Sequence, residues 1–546
     1  MNLHGFVRGV TMNRNEILER KGEIAMKLRN IGVLAVAMFL VGSFFLASAG
    51  AREQVVKVAL MSSDIRSLDP HYGTTSPDYA CIDPMFNGLV RFKPGDIDPE
   101  KIEPDLAERW SVSPDGLVWT FYLRKGVQFH KGYGELTAED VKFSLEKAAN
   151  KDTSGFASDF EALEKVEVIN KYTVRLTFKE RIPSVLGLLA DYHGGFIVSK
   201  KAVEEMGLEK FRTHPIGTGP FMLKEYFPKQ KLVEVRNENY FRGKPLLDKI
   251  EFWFMPDASS REMAFRKGEI DICEGVREQV WVEKMKKVPG TVVDVFGPGE
   301  TLTLHFNTTK KPLDDIRVRR ALAYGINRQE LMDFLGKDVT EPLVSPIPAS
   351  YLGGTTDVPL YKYNPSKAKE LLKEAGLGKG FTLRMVMSAA SPYLRPMEQI
   401  QAQLRRIGVD LKMDVITHSA YHSQIRKDVN PIVLYICARF PTADPILTQF
   451  YDSKSIVGTP TAITNFSHYN KIDDLIERAR QEANVDIQKD LWAKAQRKIL
   501  EDAVAYPLCT AKFVFARKSY VDLGYQMKST LTSADTIKYN TRILEK

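Results

Sequence analysis

The clearest alternation of apolar and polar residues lies between residues 113 and 141. Residues 119–123 (Trp-Thr-Phe-Tyr-Leu) alternate in step, which predicts a strand with one buried and one exposed face. The turn-forming sequence 113–116 (Ser-Pro-Asp-Gly) comes before it, so we expect a tight turn at the start of the strand. Thr137 and Asp140 have the spacing of a capping box, which predicts that a helix begins there.

Similar patterns recur along the rest of the chain. Residues 173–178 and 409–415 alternate as half-buried strands do, and residues 250–272 have the pattern strand, helix, strand. Such a unit predicts parallel sheet joined by a right-handed crossover. The apolar run 432–436 predicts a central strand that is covered on both faces. Apolar stripes with helical spacing predict helices at 365–375, 394–407, 472–479 and 491–499. The chain is therefore expected to be an α/β protein.

Residues 26–51 have the pattern of a secretory signal peptide. A positively charged region at its N-terminal end is followed by an apolar run (Ile31–Leu46) and by small residues around Ala49 that provide cleavage sites. The run is short for a permanent membrane span, and an uncleaved anchor is the alternative. No cysteine follows the cleavage region, so we expect a periplasmic protein that is not a lipoprotein. Residues 1–25 fit no part of this pattern; either Met26 is the true start or the positive region is unusually long.

The chain has 546 residues, and removal of the first 51 would leave 495, enough for about three domains. Its net charge of +8 is not concentrated in blocks, so the composition gives no indication of nucleic-acid binding. The cysteines are too few and too far apart for a disulfide framework or a zinc site, although one disulfide is compatible with an oxidising compartment. They are Cys81, Cys273, Cys437 and Cys509.

No pattern in the sequence indicates an enzyme. Gly217–Gly219 resembles part of a phosphate-binding loop, but its flanking prolines favour a structural turn. His418 and His422 have the i, i+4 spacing with which a helix can present two metal ligands. No further ligand motif completes a site, so a solvated helix face is the preferred interpretation. The paired aspartates at 314–315 and 473–474 precede helices and are explained by capping. We therefore expect a non-enzymatic protein without a cofactor or a metal.

A set of short motifs connects the chain with a known family. It includes P-D-L-A-E-R-W at 104–110, L-R-K-G-V-Q-F-H at 123–130 and T-A-E-D-V at 137–141. Further matches lie at 215–220, 239–245, 267–271, 306–308 and 318–322. These motifs resemble those of the family 5 solute-binding proteins of ABC importers, which bind oligopeptides, dipeptides, nickel or haem. The resemblance extends from residue 55 to about 546, and the motifs occur in the same order as in the family.

The resemblance implies an α/β, two-lobed periplasmic-binding-protein fold of type II (cluster C-like), with two crossing segments near residues 305 and 511. The first lobe is expected from 52–304 and 512–546, with an extra subdomain at about 88–214, and the second lobe from 305–511. The crossing segments would act as a hinge, and rigid-body closure would trap a ligand between the lobes.

Ligand-binding residues are expected on loops that face the cleft between the lobes. The first candidate is the loop after the first strand, where hydroxyls and an aromatic ring suit a polar solute. Its candidate residues are Tyr72, Thr74, Thr75, Ser76 and Asp78. The alternative is a surface loop whose hydroxyls satisfy its own turns. Further candidates, each of which could instead belong to the rim or the core, are Tyr192, His193, Glu300, Thr301 and Tyr421.

The second candidate is the segment 439–445 after the apolar strand, which supplies Arg439, Phe440 and Asp444. In peptide-binding members of the family, an aspartate four residues before the proline of this segment pairs with the ligand's α-ammonium; that position is Pro441 here. A buried ammonium without a counter-charge costs several kcal/mol. Arg439 instead offers a planar fork for a carboxylate or a phosphate, unless it forms a salt bridge with a neighbouring acid such as Asp444.

The sequence is therefore interpreted as the periplasmic solute-binding component of an ABC importer. It would capture a peptide or a peptide-like polar solute and deliver it to the permease subunits in the membrane. One alternative is a binder of an acidic non-peptide solute, such as an opine, a sugar phosphate or a metal chelate. The other is a sensor protein that docks on a chemoreceptor. A monomer without nucleic-acid partners is expected.

Overall fold

The computed structural model describes residues 13–15, 19, 21–22, 53–182, 184–190, 194–438, 440–458, 464–530 and 537–545. The predicted signal peptide, 26–51, lies outside these residues. The strands and helices described below belong to the compact unit Gln54–Lys546. In the other unit, Met1–Glu53, residues 14–15, 19 and 21–22 are helical.

The strands of the described chain are numbered β1 to β19 in order. They are Val55–Leu60, Val90–Arg91, Glu103–Pro104, Ala107–Val112, Val118–Leu123, Leu163–Asn170, Thr173–Phe178, Phe221–Phe227, Lys231–Arg236, Lys249–Phe254, Ile272–Glu274, Thr291–Phe306, Thr340–Pro342, Phe381–Ser388, Val409–Ile416, Ile432–Cys437, Ala505–Lys518, Val521–Asp522 and Arg542–Ile543.

The α-helices of the same unit are numbered α1 to α15. They are Ser76–Ile82, Ala138–Ala149, Val185–Leu188, Lys200–Met206, Leu208–Phe211, Ala258–Lys267, Gln279–Lys286, Ile316–Gly325, Arg328–Leu335, Pro365–Glu374, Ser391–Arg405, His418–Ile425, Ala443–Tyr451, Asp473–Gln481 and Val485–Glu501.

The largest sheet contains nine strands of the described chain, in both parallel and antiparallel pairs. The order is β16-β12-β17-β11-β1-β10-β9-β8, with β13 pairing with β17. β1 lies between β10 and β11 and is parallel to both, which agrees with the strand–helix–strand pattern at 250–272. The crossover helix α6 is followed by Gly268, whose φ of +77° is left-handed and favours glycine at the end of a helix.

A second sheet, β4-β5-β7-β6, is antiparallel throughout. The predicted strand 119–123 lies in β5, and the turn before it is closed by a hydrogen bond from the N–H of Gly116 to the carbonyl of Ser113 (2.8 Å). Helix α2 begins at the predicted capping box, where Asp140 accepts hydrogen bonds from the N–H and the hydroxyl of Thr137 (both 2.9 Å). The apolar side of this helix is buried in the same core as the sheet.

Two large hydrophobic cores divide the unit, and we call the parts that pack around them the first and second lobes. The strands β12 and β17 take part in both cores. Phe296 and Phe513 belong to the first core, whereas Leu302 and Cys509 belong to the second. The strands stay paired across this exchange, with a shift of register between Phe296 and Glu300. The lobes are therefore joined by two crossing strands that lie side by side.

The sequence predicted that β16 is a central strand, but its position in the sheet is different. It pairs with β12 on one side and ends the sheet on the other, so within the described residues it is an edge strand. Its residues 432–435 are nevertheless buried, because the second core covers them. An apolar run indicates burial of both faces, and a covered edge strand has the same pattern as a central one.

Among the residues that the structure describes, no helix has the length and apolar composition needed to cross a membrane. Cys81, Cys273 and Cys509 are free thiols and are buried in the described chain.

Candidate functional site: the cleft between the lobes

The loop between β1 and α1 is held together by Asp78. Its carboxylate accepts hydrogen bonds from the backbone N–H groups of Arg66 (2.6 Å), Thr74 (3.1 Å) and Thr75 (3.0 Å). Thr75 caps α1, and its hydroxyl accepts in return from the N–H of Asp78 (3.4 Å). Asp78 is fully buried, so it shapes the loop and leaves Thr74, Thr75 and the half-buried Ser76 as the outer polar groups.

Two guanidinium groups flank the ring of Tyr72. The guanidinium of Arg212 lies 3.8 Å from the ring centroid, and that of Arg66 lies 4.7 Å from it. Arg66 also donates to the hydroxyl of Thr74 (3.3 Å). The Nε atom of Arg212 is buried without a hydrogen-bond partner in the structure. Arg212 also forms an ion pair with Glu209 (2.5 Å). The candidate residues Tyr72 and Thr74 therefore lie beside two guanidinium groups, and that of Arg212 already has a carboxylate partner.

A buried ion pair anchors the start of this loop. The ammonium of Lys147, on α2, donates to both carboxylate oxygens of Asp69 (2.8 and 2.7 Å) and to Nδ1 of His71 (3.3 Å). The Nε2–H of His71 consequently donates to the carbonyl of Phe196 (2.9 Å). Burial and the charge of Lys147 lower the pKa of His71 to about 3, so the imidazole is neutral. These contacts tie the loop to helix α2 and to the backbone at Phe196.

Phe440 is a point at which the second lobe reaches the first. Its backbone lies between β16 and α13, and its ring packs against the first core, 5.8 Å from the ring of Phe92 (centroid to centroid). The ring also lies against Gly187 in α3, where any side chain would overlap it. The predicted site residue Phe440 therefore closes part of the gap between the lobes.

Asp444 lies in the first turn of α13 and is paired with Arg480 of α14. The Nε atom of Arg480 donates to Oδ1 of Asp444 (2.9 Å), and its Nη2 donates to the other oxygen (3.4 Å). Burial raises the pKa of the Asp444 carboxyl, and the charge of Arg480 opposes that shift. This carboxylate thus has a cation of its own inside the second lobe.

Charged residues gather where β12 and β17 cross. Arg277, three residues after the end of β11, forms an ion pair with Glu300 and lies over the ring of Phe513 (4.6 Å to its centroid). Its neighbour Glu278 forms an ion pair with Arg395 of the second lobe (2.5 Å). The predicted residue Glu300 therefore belongs to a group of four charges that spans the crossing. Sequence reasoning missed Arg277, although it follows a predicted parallel strand, whose carboxyl end is where α/β sheets bind ligands.

Two further predicted residues make structural contacts. The hydroxyl of Thr301 donates to the carbonyl of Cys437, its partner across β12 and β16 (3.1 Å). Tyr421 is fully buried, and its hydroxyl donates to the carbonyl of Leu434 (2.7 Å). Tyr421 therefore packs in the core of the second lobe, a position that the sequence left open as the alternative to ligand binding.

The remaining predicted residues, Tyr192, His193 and Arg439, lie outside the described residues. Their roles, and those of the other predicted site residues, stay predictions. The described part of the chain contains no group of three or more histidine, cysteine, aspartate or glutamate residues placed to hold a metal ion.

Two lobes that share one mixed sheet, joined by paired crossing strands with charged and aromatic groups at the junction, define a protein of the two-lobed solute-binding class. Residues 101–457 match the family described as bacterial extracellular solute-binding proteins, family 5 Middle. The chain belongs to this family, whose members are solute-binding components of ABC importers. The family and the fold predicted from the sequence are both confirmed.

Known relatives and solved structures agree with this assignment. The chain is 29% identical over 509 residues to the dipeptide-binding protein of Escherichia coli (strain K12), covering 86% of this chain and 91% of that protein. The structure of the binding protein MoaA of A. tumefaciens R10 in complex with mannopinic acid is 41% identical, with a TM-score of 0.79 over 90% of this chain and 100% of that one. The periplasmic binding protein DppA of Helicobacter pylori in complex with the peptide STSA is 28% identical, with a TM-score of 0.75 over 90% of this chain and 98% of that one.

Proposed function

We propose that this protein captures a small solute between its lobes in the periplasm and delivers it to the transmembrane subunits of an ABC permease. The observation that carries the proposal is that β12 and β17 each pass from the first hydrophobic core to the second. Two such crossing strands form a hinge about which the lobes close on a solute. The lobes would meet at residues 297–300 and 510–512. The protein would work as a monomer, by binding alone, without catalysis or a nucleic-acid partner.

The solute that we propose is an acidic conjugate of a sugar and an amino acid, an opine. One support is the 41% identity to MoaA, whose structure contains mannopinic acid, over the whole of that chain. A second is position 441, where a proline stands in place of the carboxylate that would neutralise a peptide's ammonium. A third is the guanidinium of Arg66 beside Tyr72 and Thr74; the nearby guanidinium of Arg212 is paired with Glu209. Arg439 would clamp a carboxylate of the solute.

A peptide is the second candidate, because the E. coli relative that matches this chain over 91% of its own length is named a dipeptide-binding protein. In that case another acid must neutralise the peptide's ammonium, and Glu300 at the crossing could do so only by exchanging its partner Arg277 for the ligand. The two solutes are therefore distinguished by the charge that each requires in the cleft.

Isothermal titration calorimetry on residues 53–546 compares the two solutes directly. Mannopinic acid is titrated first, and a dipeptide and glutathione follow under the same conditions. The opine proposal predicts one binding site for mannopinic acid, and peptide affinities at least a hundredfold weaker. Tight peptide binding without binding of mannopinic acid would refute it.

The role of Arg439 is tested by Arg439→Gln, with Arg384→Gln as the matched control because Arg384 is an exposed arginine of the same lobe. A clamp on a carboxylate predicts that Arg439→Gln weakens binding of mannopinic acid at least tenfold and that the control binds as the parent does. Equal affinities for all three proteins would rule out the clamp.

Export is tested by N-terminal sequencing of the protein recovered from the periplasm of a host with two membranes. The proposed signal peptide predicts a mature terminus near Ala51. A protein retained in the membrane with its apolar segment intact would support an uncleaved anchor instead.

A further inference from the structure

The parallel strands β14 and β15 end side by side in the second lobe, and one hydrogen bond connects the end of β16 with the helix that follows β14. β14 ends at Ser388, β15 ends at Ile416, and β16 ends at Cys437. The hydroxyl of Tyr393 donates to the carbonyl of Ile436 (3.3 Å), which ties the start of α11 to the end of β16. In α/β sheets the carboxyl edge is where ligands bind. Helix α12 begins immediately after β15, so its first residues lie at the same edge.

Two imidazole rings of α12 pack edge to face at the start of this helix. The ring centroids of His418 and His422 lie 4.6 Å apart, and their planes are nearly perpendicular (89°). Two imidazole nitrogens that bind one ion at about 2.0–2.1 Å, in adjacent tetrahedral or octahedral positions, place their ring centres roughly 4.5–5.2 Å apart. The separation of the two rings therefore already matches that of a chelating pair, as the i, i+4 spacing allows.

The surroundings of His418 support a ligand role. Its Nδ1 atom lies 2.9 Å from the hydroxyl oxygen of Ser388, which also accepts a hydrogen bond from the N–H of Ala390 (3.1 Å). When Nδ1–H donates to this oxygen, Nε2 carries the free lone pair that a metal requires. His418 is exposed, so that nitrogen is accessible from solvent.

The sequence predicted that His422 lies on a solvated helix face, but in the structure it is half-buried among aromatic rings. The rings of Tyr393 and Tyr435 lie 6.0 and 5.7 Å from it (centroid to centroid). Packing against these rings holds the imidazole of His422 beside that of His418.

We propose that His418 and His422 form a two-imidazole site for a divalent transition metal such as Ni²⁺, Cu²⁺ or Zn²⁺. These ions suit imidazole ligands. The described residues offer no third histidine, cysteine or carboxylate to the ion, so its other positions are open to water or to a chelating solute. A conjugate with adjacent amine and carboxylate groups would fill two of them. That extension rests on the proposed function, whereas the metal site itself does not.

Calorimetric titration of tag-free protein (residues 53–546) with NiCl₂ and with CuCl₂ tests the site. We expect one equivalent to bind, and we expect His418→Gln and His422→Gln each to weaken binding at least tenfold. His214→Gln is the matched control, since His214 is an exposed histidine of the first lobe. Binding that survives both substitutions, or that is lost equally in the control, would overturn the proposal.

Electron paramagnetic resonance of the Cu²⁺-loaded protein reports the nitrogen ligands of the metal directly. A variant that is only less stable would not change this signal. The proposal predicts hyperfine coupling to two imidazole nitrogens in the parent and to one in each single variant. Thermal melting confirms that the variants are folded. A spectrum of the folded parent without coupling to two imidazoles would contradict the site.

Titration of mannopinic acid with and without bound Ni²⁺ separates the extension from the site. The extension predicts that Ni²⁺ raises the affinity at least tenfold in the parent and leaves it unchanged in His418→Gln. Unchanged affinity in a protein that binds Ni²⁺ overturns the extension and leaves the site intact. No binding of mannopinic acid under either condition counts against the proposed opine, again without affecting the metal site.

Discussion

The aromatic ring of Phe440, in the second lobe, occupies the space that a side chain at Gly187, in the first lobe, would fill. The two residues are more than 250 positions apart in the sequence, yet the glycine gives the ring access to the first core. The contact is made only when the lobes are close together. It therefore joins a small residue of one lobe to an aromatic residue of the other.

Substitution of this glycine is expected to hold the lobes apart. Gly187→Ala places a methyl group in the position of the Phe440 ring, so small-angle scattering should show a larger radius of gyration and solute affinity should fall at least tenfold. Phe440→Ala removes the obstruction, and the double variant should close again. A Gly187→Ala protein as compact as the parent would show that the contact does not control closure.

The buried ion pair between Lys147 and Asp69 should contribute strongly to stability. Lys147→Met leaves a buried carboxylate without its cation, which costs about 3–5 kcal/mol. Lys142→Met is the control on the same helix, because its pair with Glu146 is exposed and worth about 0.3–0.5 kcal/mol. Urea unfolding of the three proteins measures both costs. Equal stabilities of the two variants would contradict this account of the pair.

The local elements could be predicted from the sequence because their causes are local. The capping box of Thr137 and Asp140, the turn at 113–116 and the strand 119–123 depend on neighbours within a few positions. The fold followed from motifs spread over the whole chain. The edge position of β16 could not be predicted, since an apolar run reports burial and not pairing.

The site was harder to predict because its contacts join distant segments. The pair of Glu278 and Arg395 joins residues 117 positions apart, and neither residue has a neighbour in the sequence that indicates the other. Asp78 was expected to face a solute, yet the loop uses it for three backbone hydrogen bonds. A polar residue in a loop has the same appearance in the sequence whether it binds a solute or its own backbone.

Glu234 should make stability fall as the pH rises. It is fully buried in β9, its carboxyl oxygens have no hydrogen-bond partner in the structure, and burial raises its pKa well above the ordinary value of 4.5. The folded protein therefore keeps a proton that the unfolded chain releases above about pH 4.5. The contribution of this proton to the free energy of unfolding is complete below pH 4.5. As the pH rises above that value, the contribution falls by roughly 1.4 kcal/mol per pH unit.

Glu234→Gln removes this titration without changing the size of the side chain. The free energy of unfolding of the variant, measured relative to the parent between pH 5 and 7, should therefore rise with pH. A difference that stays constant over this range would show that Glu234 is ionised in the folded protein.

His305 should have the opposite dependence. It is buried against the rings of Phe450, Tyr451 and Phe466, and burial lowers its pKa from 6.5 to about 3. A lowered pKa means that its contribution is complete above pH 6.5 and is lost as the pH falls towards 3. At pH 5 the loss is about 2 kcal/mol.

His305→Phe keeps an aromatic ring in this site and removes the titration. Its melting temperature relative to the parent should be higher at pH 5 than at pH 7.5. A difference that is the same at both pH values would contradict the neutral, buried imidazole.

Native mass spectrometry of the mature protein, gently purified from its own host and never unfolded, tests the central claim most directly, because a closed binding protein retains its solute. Closure on an acidic conjugate of a sugar and an amino acid predicts one retained molecule whose mass and fragmentation match such a compound. A retained peptide would contradict the proposed solute, and would mean that a group other than residue 441 neutralises the peptide's ammonium.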